Sequence, residues 1–150
     1  MKTLVILRGL PSSGKTSFAQ MLVDFAFCNT EADTPACMFA ADDYFEDLGH
    51  FDPKQLGKAH EQCRMNVSYA MTEEVPLIVV HNTNTQKWEF KDYITLAEVN
   101  GYRYFVASLF DGGKTDEELV DRSTHGVPLK TMRAMRKRFQ HNWKDARCDG

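Results

Sequence analysis

The residues with the clearest chemical purpose are Gly9-Leu10-Pro11-Ser12-Ser13-Gly14-Lys15-Thr16. They form a G-x-x-x-x-G-K-[ST] pattern between the apolar run Leu4-Val5-Ile6-Leu7 and a helix-like segment. A buried strand that ends in a tight loop turns successive backbone N–H groups inward, and a helix starts as the loop closes. Those donors and the positive end of the helix dipole make a cradle for phosphate. Lys15 adds a mobile positive charge for β- and γ-phosphates, and the Thr16 hydroxyl offers a ligand to Mg²⁺. Gly9, Pro11, Ser12, Ser13, Gly14, Lys15, Thr16 and Ser17 are therefore the expected contacts of a nucleoside triphosphate, with ATP and Mg²⁺ as cofactors. Ser12 and Ser13 stand where a further glycine would ease positive φ, a restriction the loop is expected to tolerate.

A phosphate cradle does not say what is done with the phosphate. Asp42-Asp43 follows the short apolar stretch Ala36-Cys37-Met38-Phe39-Ala40, and carboxyl ends of strands are where open α/β sheets build their sites. Phosphoryl transfer to a hydroxyl needs a carboxylate to take the proton, so this pair is the candidate base. A plain turn or N-cap role is the competing reading. The segment 111–127 is a candidate lid: Gly112-Gly113 offers a hinge and a short helix carries Arg122, which could stabilise the transferring group. From spacing alone Arg122 could equally pair with Glu118 at i,i+4.

The elements that must position these groups alternate strand and helix. Residues 14–28 read as a helix with Phe18, Met21, Leu22 and Phe25 on its buried side. Asp52-Pro53 starts a helix marked by Leu56, Ala59, Cys63, Val67 and Ala70, which ends before Pro76. Leu77-Ile78-Val79-Val80 is a third strand running into His81-Asn82-Thr83-Asn84, and Thr85 can cap a helix over 86–99. Residues 102–109 are a fourth strand, apolar enough to be covered on both faces. Thr115-x-x-Glu118 opens a short helix, and Pro128 starts a last one with the stripe Leu129, Met132, Met135, Phe139. This is a single α/β domain over residues 1–150, a parallel sheet flanked by helices.

Composition is that of an ordinary globular domain of 150 residues, 43% hydrophobic and 26% charged. No apolar run approaches a membrane span, and no signal peptide is expected. Cys28, Cys37, Cys63 and Cys148 form no C-x-x-C pair, which points to reduced thiols and a cytoplasmic setting. His60 and Cys63 share a helix face but have no further ligands at metal spacing, so packing is expected of them. Residues 129–150 hold seven Lys/Arg against two Asp, a local +5 in a chain of net charge −3. That edge, with Arg133 and Lys137, is either an anion-binding face or solvated surface. Tyr44, Phe45 and Phe51 could stack on a nucleobase or form core.

Taken together, Arg8 to Thr16, Ala41-Asp42-Asp43-Tyr44-Phe45, Phe51-Asp52-Pro53, Ala59-His60, Cys63, Asn82-Thr83-Asn84-Thr85 with Trp88, Gly101-Tyr102 and Arg122-x-x-His125-Gly126-Val127-Pro128 resemble the P-loop polynucleotide 5′-kinase family. The nearest likeness is the kinase-like domain of a Nedd4-binding protein and its relatives, and a more distant one is phage T4 polynucleotide kinase. The resemblance covers about residues 3–139. It implies a four-stranded parallel sheet in the order 2-3-1-4 with a lid after the fourth strand. It also implies Asp42 as general base for a 5′-hydroxyl, Lys15 and Thr16 on phosphates and metal, and Arg122 as lid arginine. Asp43, Tyr44, Phe45, Asn82, Asn84, Arg133 and Lys137 are the candidate substrate contacts. Two positions depart from the resemblance: Phe45 stands where the phage enzyme has an arginine that contacts substrate phosphate, and His81 stands where the nearer relatives often have an aspartate.

The expected activity is transfer of the γ-phosphate of ATP to the 5′-hydroxyl end of DNA or RNA, without a membrane or an obligate protein partner. The alternatives are a P-loop kinase of a small molecule, nucleoside or modified base, and a nucleotide-binding module without turnover.

Overall fold

A computed structural model describes residues 1–145; Arg147, Cys148 and Asp149, counted in the sequence reading, lie outside the described residues. Four strands, β1 (Thr3–Gly9), β2 (Ala36–Phe39), β3 (Leu77–His81) and β4 (Arg103–Phe110), make one parallel sheet in the order β2-β3-β1-β4. This is the order that the resemblance implies. β1 is central, with Leu7 in register with His81 on one side and Ala107 on the other.

Strand alternation sorts the core into two layers. Leu4, Ile6, Ile78 and Val80 point to α3 (Leu56–Thr72) and α4 (Lys87–Val99), which add Cys63, Val67, Ala70, Phe90, Tyr93 and Ala97. Leu7 and Val79 point the other way, to Ala19 and Val23 of α1 (Lys15–Cys28). The α1 stripe is rotated from the expected one. Phe18 and Leu22 are half-buried at its margins, while Met21 and Phe25 are 59% and 69% exposed. The loop sets the phase of this helix: Lys15 must face inward, so Ala19 and Val23, one and two turns on, face inward with it.

Other boundaries moved for local reasons. A 3₁₀ turn over Pro53–Gln55 precedes α3, with the Asp52 carboxylate accepting the Lys54 N–H at 3.0 Å. Gln86, not Thr85, caps α4 in a reciprocal box with Glu89, and the Thr85 hydroxyl donates to Glu89 instead. β4 is an edge strand, and Phe105 is 54% exposed because α1 lies over β2 and β3. The expected two-sided cover of β4 is therefore corrected. Among the described residues no helix is long and apolar enough to cross a membrane.

After β4 come α5 (Asp116–Arg122), capped by Thr115 as its sequence predicts, and α6 (Leu129–Arg138). Leu10 of the phosphate loop, Leu119, Met132 and Phe139 close a small third core between them. The segment expected to act as a lid is thus packed against the loop's own apolar residue.

Candidate active site

The loop after β1 is anchored on both sides at its root. The Gly9 N–H donates to the Thr83 carbonyl at 3.0 Å, and the Leu10 N–H to the Phe110 carbonyl at 2.7 Å. Thr83 sits in the turn that leaves β3 and Phe110 is the last residue of β4, so neighbouring strands fix where the cradle begins. Gly9 is required there, since a Cβ would run into the Ser13 hydroxyl and approach the Phe110 carbonyl at 3.3 Å. Ser12 carries φ 68° and Gly14 φ 108°, so the loop does demand left-handed backbone at a serine. That conformation costs about 1–3 kcal/mol for a residue other than glycine.

Lys15 is buried, and its Nζ donates to the carbonyls of Gly9 and Leu10, both at 2.9 Å. Burial pushes its pKa down to about 8, opposed by the nearby Asp42 carboxylate. The ammonium is folded back over the loop that a phosphate would fill. The Ser13 hydroxyl is buried there without a hydrogen-bond partner. An unpaired hydroxyl under a ring of N–H groups and an under-solvated ammonium both fit a bound phosphate chain. Thr16 and Ser17, on the first turn of α1, are exposed, and Pro11 is half-buried.

Asp42 and Asp43 take different roles. Asp43 opens α2 (Asp43–Leu48), and its Oδ2 accepts the Ala40 N–H at 3.0 Å, so it serves the backbone. Asp42 precedes that helix; its carbonyl accepts the Phe45 and Glu46 N–H groups, while its carboxylate, 60% exposed, caps nothing. Its Oδ2 lies 3.7 Å from Nε2 of His125 on the loop after α5. The candidate base, Lys15 and the candidate lid segment therefore converge on one mouth.

Several candidate substrate contacts are structural instead. Asn82 is buried; its Oδ1 accepts the Ala41 N–H at 2.8 Å, tying the Asp42 turn to the end of β3. Asn84, also buried, donates to the Leu7 carbonyl at 3.0 Å. Phe45 is 7% exposed, with Ala41 and Ala59 around it and edge contacts to Tyr44 and Phe51. It is core, one of the two roles its sequence left open, and does not stack on a base in this position. Phe51 is the exposed ring of the three. Tyr44 is half-buried and its hydroxyl donates to Gln55 Oε1.

The basic edge divides in the same way. Arg136, not singled out from sequence, holds the lid: it bonds Asp111 at 2.7 Å, Asp116 at 2.6 Å and the Lys114 carbonyl at 2.9 Å. Its guanidinium holds the Asp111 carboxyl below the usual range, and Asp111 and Asp116 raise its own pKa in turn. Arg133 pairs with Glu117 at 3.3 Å in the open. Lys130, Lys137 and Arg122 are exposed and make no hydrogen bond or ion pair among the described residues. Glu118 bonds Thr115 in place of Arg122, so the i,i+4 pairing is absent and Arg122 is available at the lid. Gly112, at φ 62°, backs directly onto the Ser13 carbonyl, which joins the lid turn to the phosphate loop.

Arg8 is the residue sequence reasoning undervalued. It is fully buried, donates to the carbonyls of Asn84, Thr85 and Gln140, and lies against the rings of Phe90 and Phe139. Burial lowers its pKa to about 10, with Glu89 opposing. A charged residue inside an otherwise apolar strand was the signal in the sequence. Cys63 packs as expected, buried beside Asn82 Nδ2, while His60 is half-buried; among the described residues no group of three metal-binding side chains exists.

Known proteins give the site a context. The sequence profile of the AAA domain family matches residues 4–141. Human (Homo sapiens) NEDD4-binding protein 2 is 34% identical over 141 residues, covering 91% of this chain but only 8% of that protein. A chain of the Pnkp1/Rnl/Hen1 RNA repair complex superposes with a TM-score of 0.69 at 17% identity, over 97% of this chain and 46% of that one. The Mycobacterium tuberculosis APS kinase CysC, solved with AMPPNP and APS, superposes with a TM-score of 0.56 at 18% identity, over 83% and 70%. The two structural likenesses establish a P-loop kinase-like fold. With the profile match and the curated relative, they show that the chain belongs to the AAA domain family, among its P-loop proteins that resemble polynucleotide kinases.

Proposed function

We propose that this domain is an ATP-dependent kinase that phosphorylates the 5′-hydroxyl end of a nucleic acid. The observation that carries the reading is the position of Asp42. It is an exposed carboxylate at the mouth of the phosphate loop, within electrostatic reach of buried Lys15 and 3.7 Å from the lid's His125. A proton acceptor, a phosphate-binding cation and a closing element are what transfer to a hydroxyl needs.

In this reading the loop N–H groups and Lys15 hold the β- and γ-phosphates, and Lys15 leaves the Gly9 and Leu10 carbonyls to do so. Mg²⁺ would be held at the Thr16 hydroxyl, where it supplies charge neutralisation to the phosphates. Asp42 takes the acceptor proton as the hydroxyl oxygen attacks the γ-phosphorus and the bond to the β,γ-bridging oxygen breaks, releasing ADP. Arg122, unpaired on α5, moves in with the lid to stabilise charge on the transferring group. The lid turn stays tied to the loop through Gly112 and Arg136 while this happens.

Two likenesses support different acceptors. The RNA repair complex favours a nucleic-acid end; the APS kinase favours a small molecule. Lys130 and Lys137, exposed on α6 and free of partners among the described residues, favour the polyanionic acceptor. The test is to follow labelled γ-phosphate from ATP into 5′-hydroxyl DNA and RNA oligomers, nucleosides and sugars. Label in oligomers alone is expected. Label in a nucleoside or sugar alone would move the acceptor to the small-molecule reading, and ATP binding without any labelled product would leave a nucleotide-binding module.

A further inference from the structure

The position that differs most in chemistry from its surroundings is His81. It ends β3 after Leu77-Ile78-Val79-Val80, is 8% exposed, and lies in register with Leu7 of β1, just before the phosphate loop. Its Nδ1 is 3.4 Å from the Thr16 hydroxyl oxygen, and its Nε2 is buried with no hydrogen-bond partner. A core role at the end of this strand would be met by another valine or isoleucine. Nδ1, not the enclosed Nε2, is the nitrogen turned towards Thr16 at the start of α1, and so it is the one placed to meet a ligand there.

We propose that His81 is a nitrogen ligand of the nucleotide-bound divalent cation, shared with Thr16, and that it turns this site from Mg²⁺ towards Mn²⁺ and Co²⁺. The inference rests on the nucleotide-binding reading above. Geometry favours one shared ion. Metal–oxygen and metal–imidazole bonds are each about 2.0–2.2 Å, so two neighbouring ligands of one ion stand about 3.0–3.5 Å apart. The 3.4 Å between Thr16 Oγ1 and His81 Nδ1 falls in that interval. The described residues hold no cluster of three metal-binding side chains, so phosphate oxygens and water must complete the shell. Mg²⁺ accepts such a shell when its protein ligands are oxygens. Imidazole is a better partner for Co²⁺ and Zn²⁺, and to a smaller degree for Mn²⁺, than for Mg²⁺, and P-loop sites ordinarily give this ion a carboxylate. Asp43, the nearest alternative carboxylate on the adjacent turn, is held by the Ala40 N–H.

The test uses the full chain labelled with ¹⁵N-histidine, loaded with Mn²⁺ and the non-hydrolysable analogue AMPPCP. Pulsed EPR is expected to show a ¹⁵N coupling from a directly bonded imidazole. That coupling should vanish in His81→Gln and in His81→Asp, while a fluorescent nucleotide titration shows that both variants still bind. Competition between Mn²⁺ and Mg²⁺ for the nucleotide complex should shift towards Mg²⁺ by at least about tenfold in His81→Asp, which restores an oxygen ligand. Wild-type protein that binds Mn²⁺·AMPPCP without histidine coupling overturns the inference and leaves the nucleotide reading standing. A coupling that survives in His81→Gln assigns the nitrogen to another residue and overturns it equally. Failure to bind AMPPCP at all would overturn both readings.

Discussion

The two sides of the candidate active site are built by different means. The phosphate side is made of backbone: β1 is gripped by β3 and β4, its loop is pinned through Gly9 and Leu10, and the groups facing a ligand are N–H donors, Lys15 and Ser13. The lid side is made of charged side chains. Its turn and two short helices are drawn together by Arg136 and a small apolar cluster, and its outer groups, Arg122, Lys130 and Lys137, stand in solvent. A backbone cradle has one shape and serves any triphosphate. A side-chain lid can be rearranged by a few substitutions, which is how one fold comes to serve acceptors as different as a nucleic-acid end and a sulfate nucleotide.

The sharpest way to break this contrast is at Lys15. Lys15→Ala should lower phosphoryl transfer by about 10³-fold or more with little change in fold, because the side chain contacts only loop carbonyls. Near-normal turnover would remove the kinase reading. The same residue predicts a pH signature in the nucleotide-free protein. Its pKa falls from 10.5 to about 8 on folding, so between those values the unfolded chain binds more protons than the folded one. Stability should therefore rise with pH across that window. Urea melts at several pH values should show this rise in wild type relative to Lys15→Met; parallel curves would show that the ammonium is not desolvated.

Next in size is the division between the paired aspartates. Asp42→Asn keeps shape but cannot accept a proton, so kcat should fall by about 10²-fold or more with ATP affinity unchanged. Asp43→Asn should act on stability instead, by on the order of 1 kcal/mol, through its bond to the Ala40 N–H. Steady-state kinetics and thermal melts of both variants decide it. The reverse pattern would transfer the base to Asp43.

What the sequence made legible follows the same contrast. Glycines, Lys15 and Thr16 at fixed spacing specify the cradle locally, and alternating apolar runs specify the strands, so the phosphate side could be read within about twenty residues. Asn82, Asn84 and Phe45 are candidate substrate contacts within the segments that carry the family resemblance. Their side chains turn inward to bond or pack on segments far away in sequence, such as Leu7 from Asn84 and Ala41 from Asn82. Arg8 and Arg136 escaped for the same reason. Arg8 meets Gln140 across 132 positions and Arg136 meets Asp111 across 25, and nothing local marks a partner that distant.

Arg136 gives an intermediate test. Arg136→Gln removes the ties to Asp111 and Asp116 and so loosens the lid turn that backs onto Ser13. Misplacing a closing element by about 1 Å costs up to about 10²-fold, and a fall of about tenfold in kcat is expected here, with stability lower by on the order of 1–2 kcal/mol. Nucleotide affinity in the same variant should hold, because the cradle is anchored by β3 and β4 rather than by the lid. Loss of nucleotide binding along with turnover would show that the two sides are one unit.

The smallest effect expected separates the basic residues of α6. Arg133 and Lys137 share the outer face of that helix, yet their surroundings differ. Glu117 lies 3.3 Å from the Arg133 guanidinium, whereas Lys137 has no such neighbour among the described residues. A phosphate approaching Arg133 meets a pair whose net charge is near zero; one approaching Lys137 meets a whole positive charge. If an oligonucleotide runs along α6, each full cation it neutralises adds about one ion to the counterions released. Lys137→Ala should then reduce the slope of log activity against log salt by about one, and Arg133→Ala by distinctly less. Glu117→Gln should steepen the slope by freeing Arg133, which a passive surface would not do. Salt titrations of oligonucleotide phosphorylation in wild type and these three variants measure all of it. Equal slopes in every variant would mean that α6 is ordinary solvated surface, and the acceptor would then have to be sought among small molecules that need only Asp42, Arg122 and the cradle.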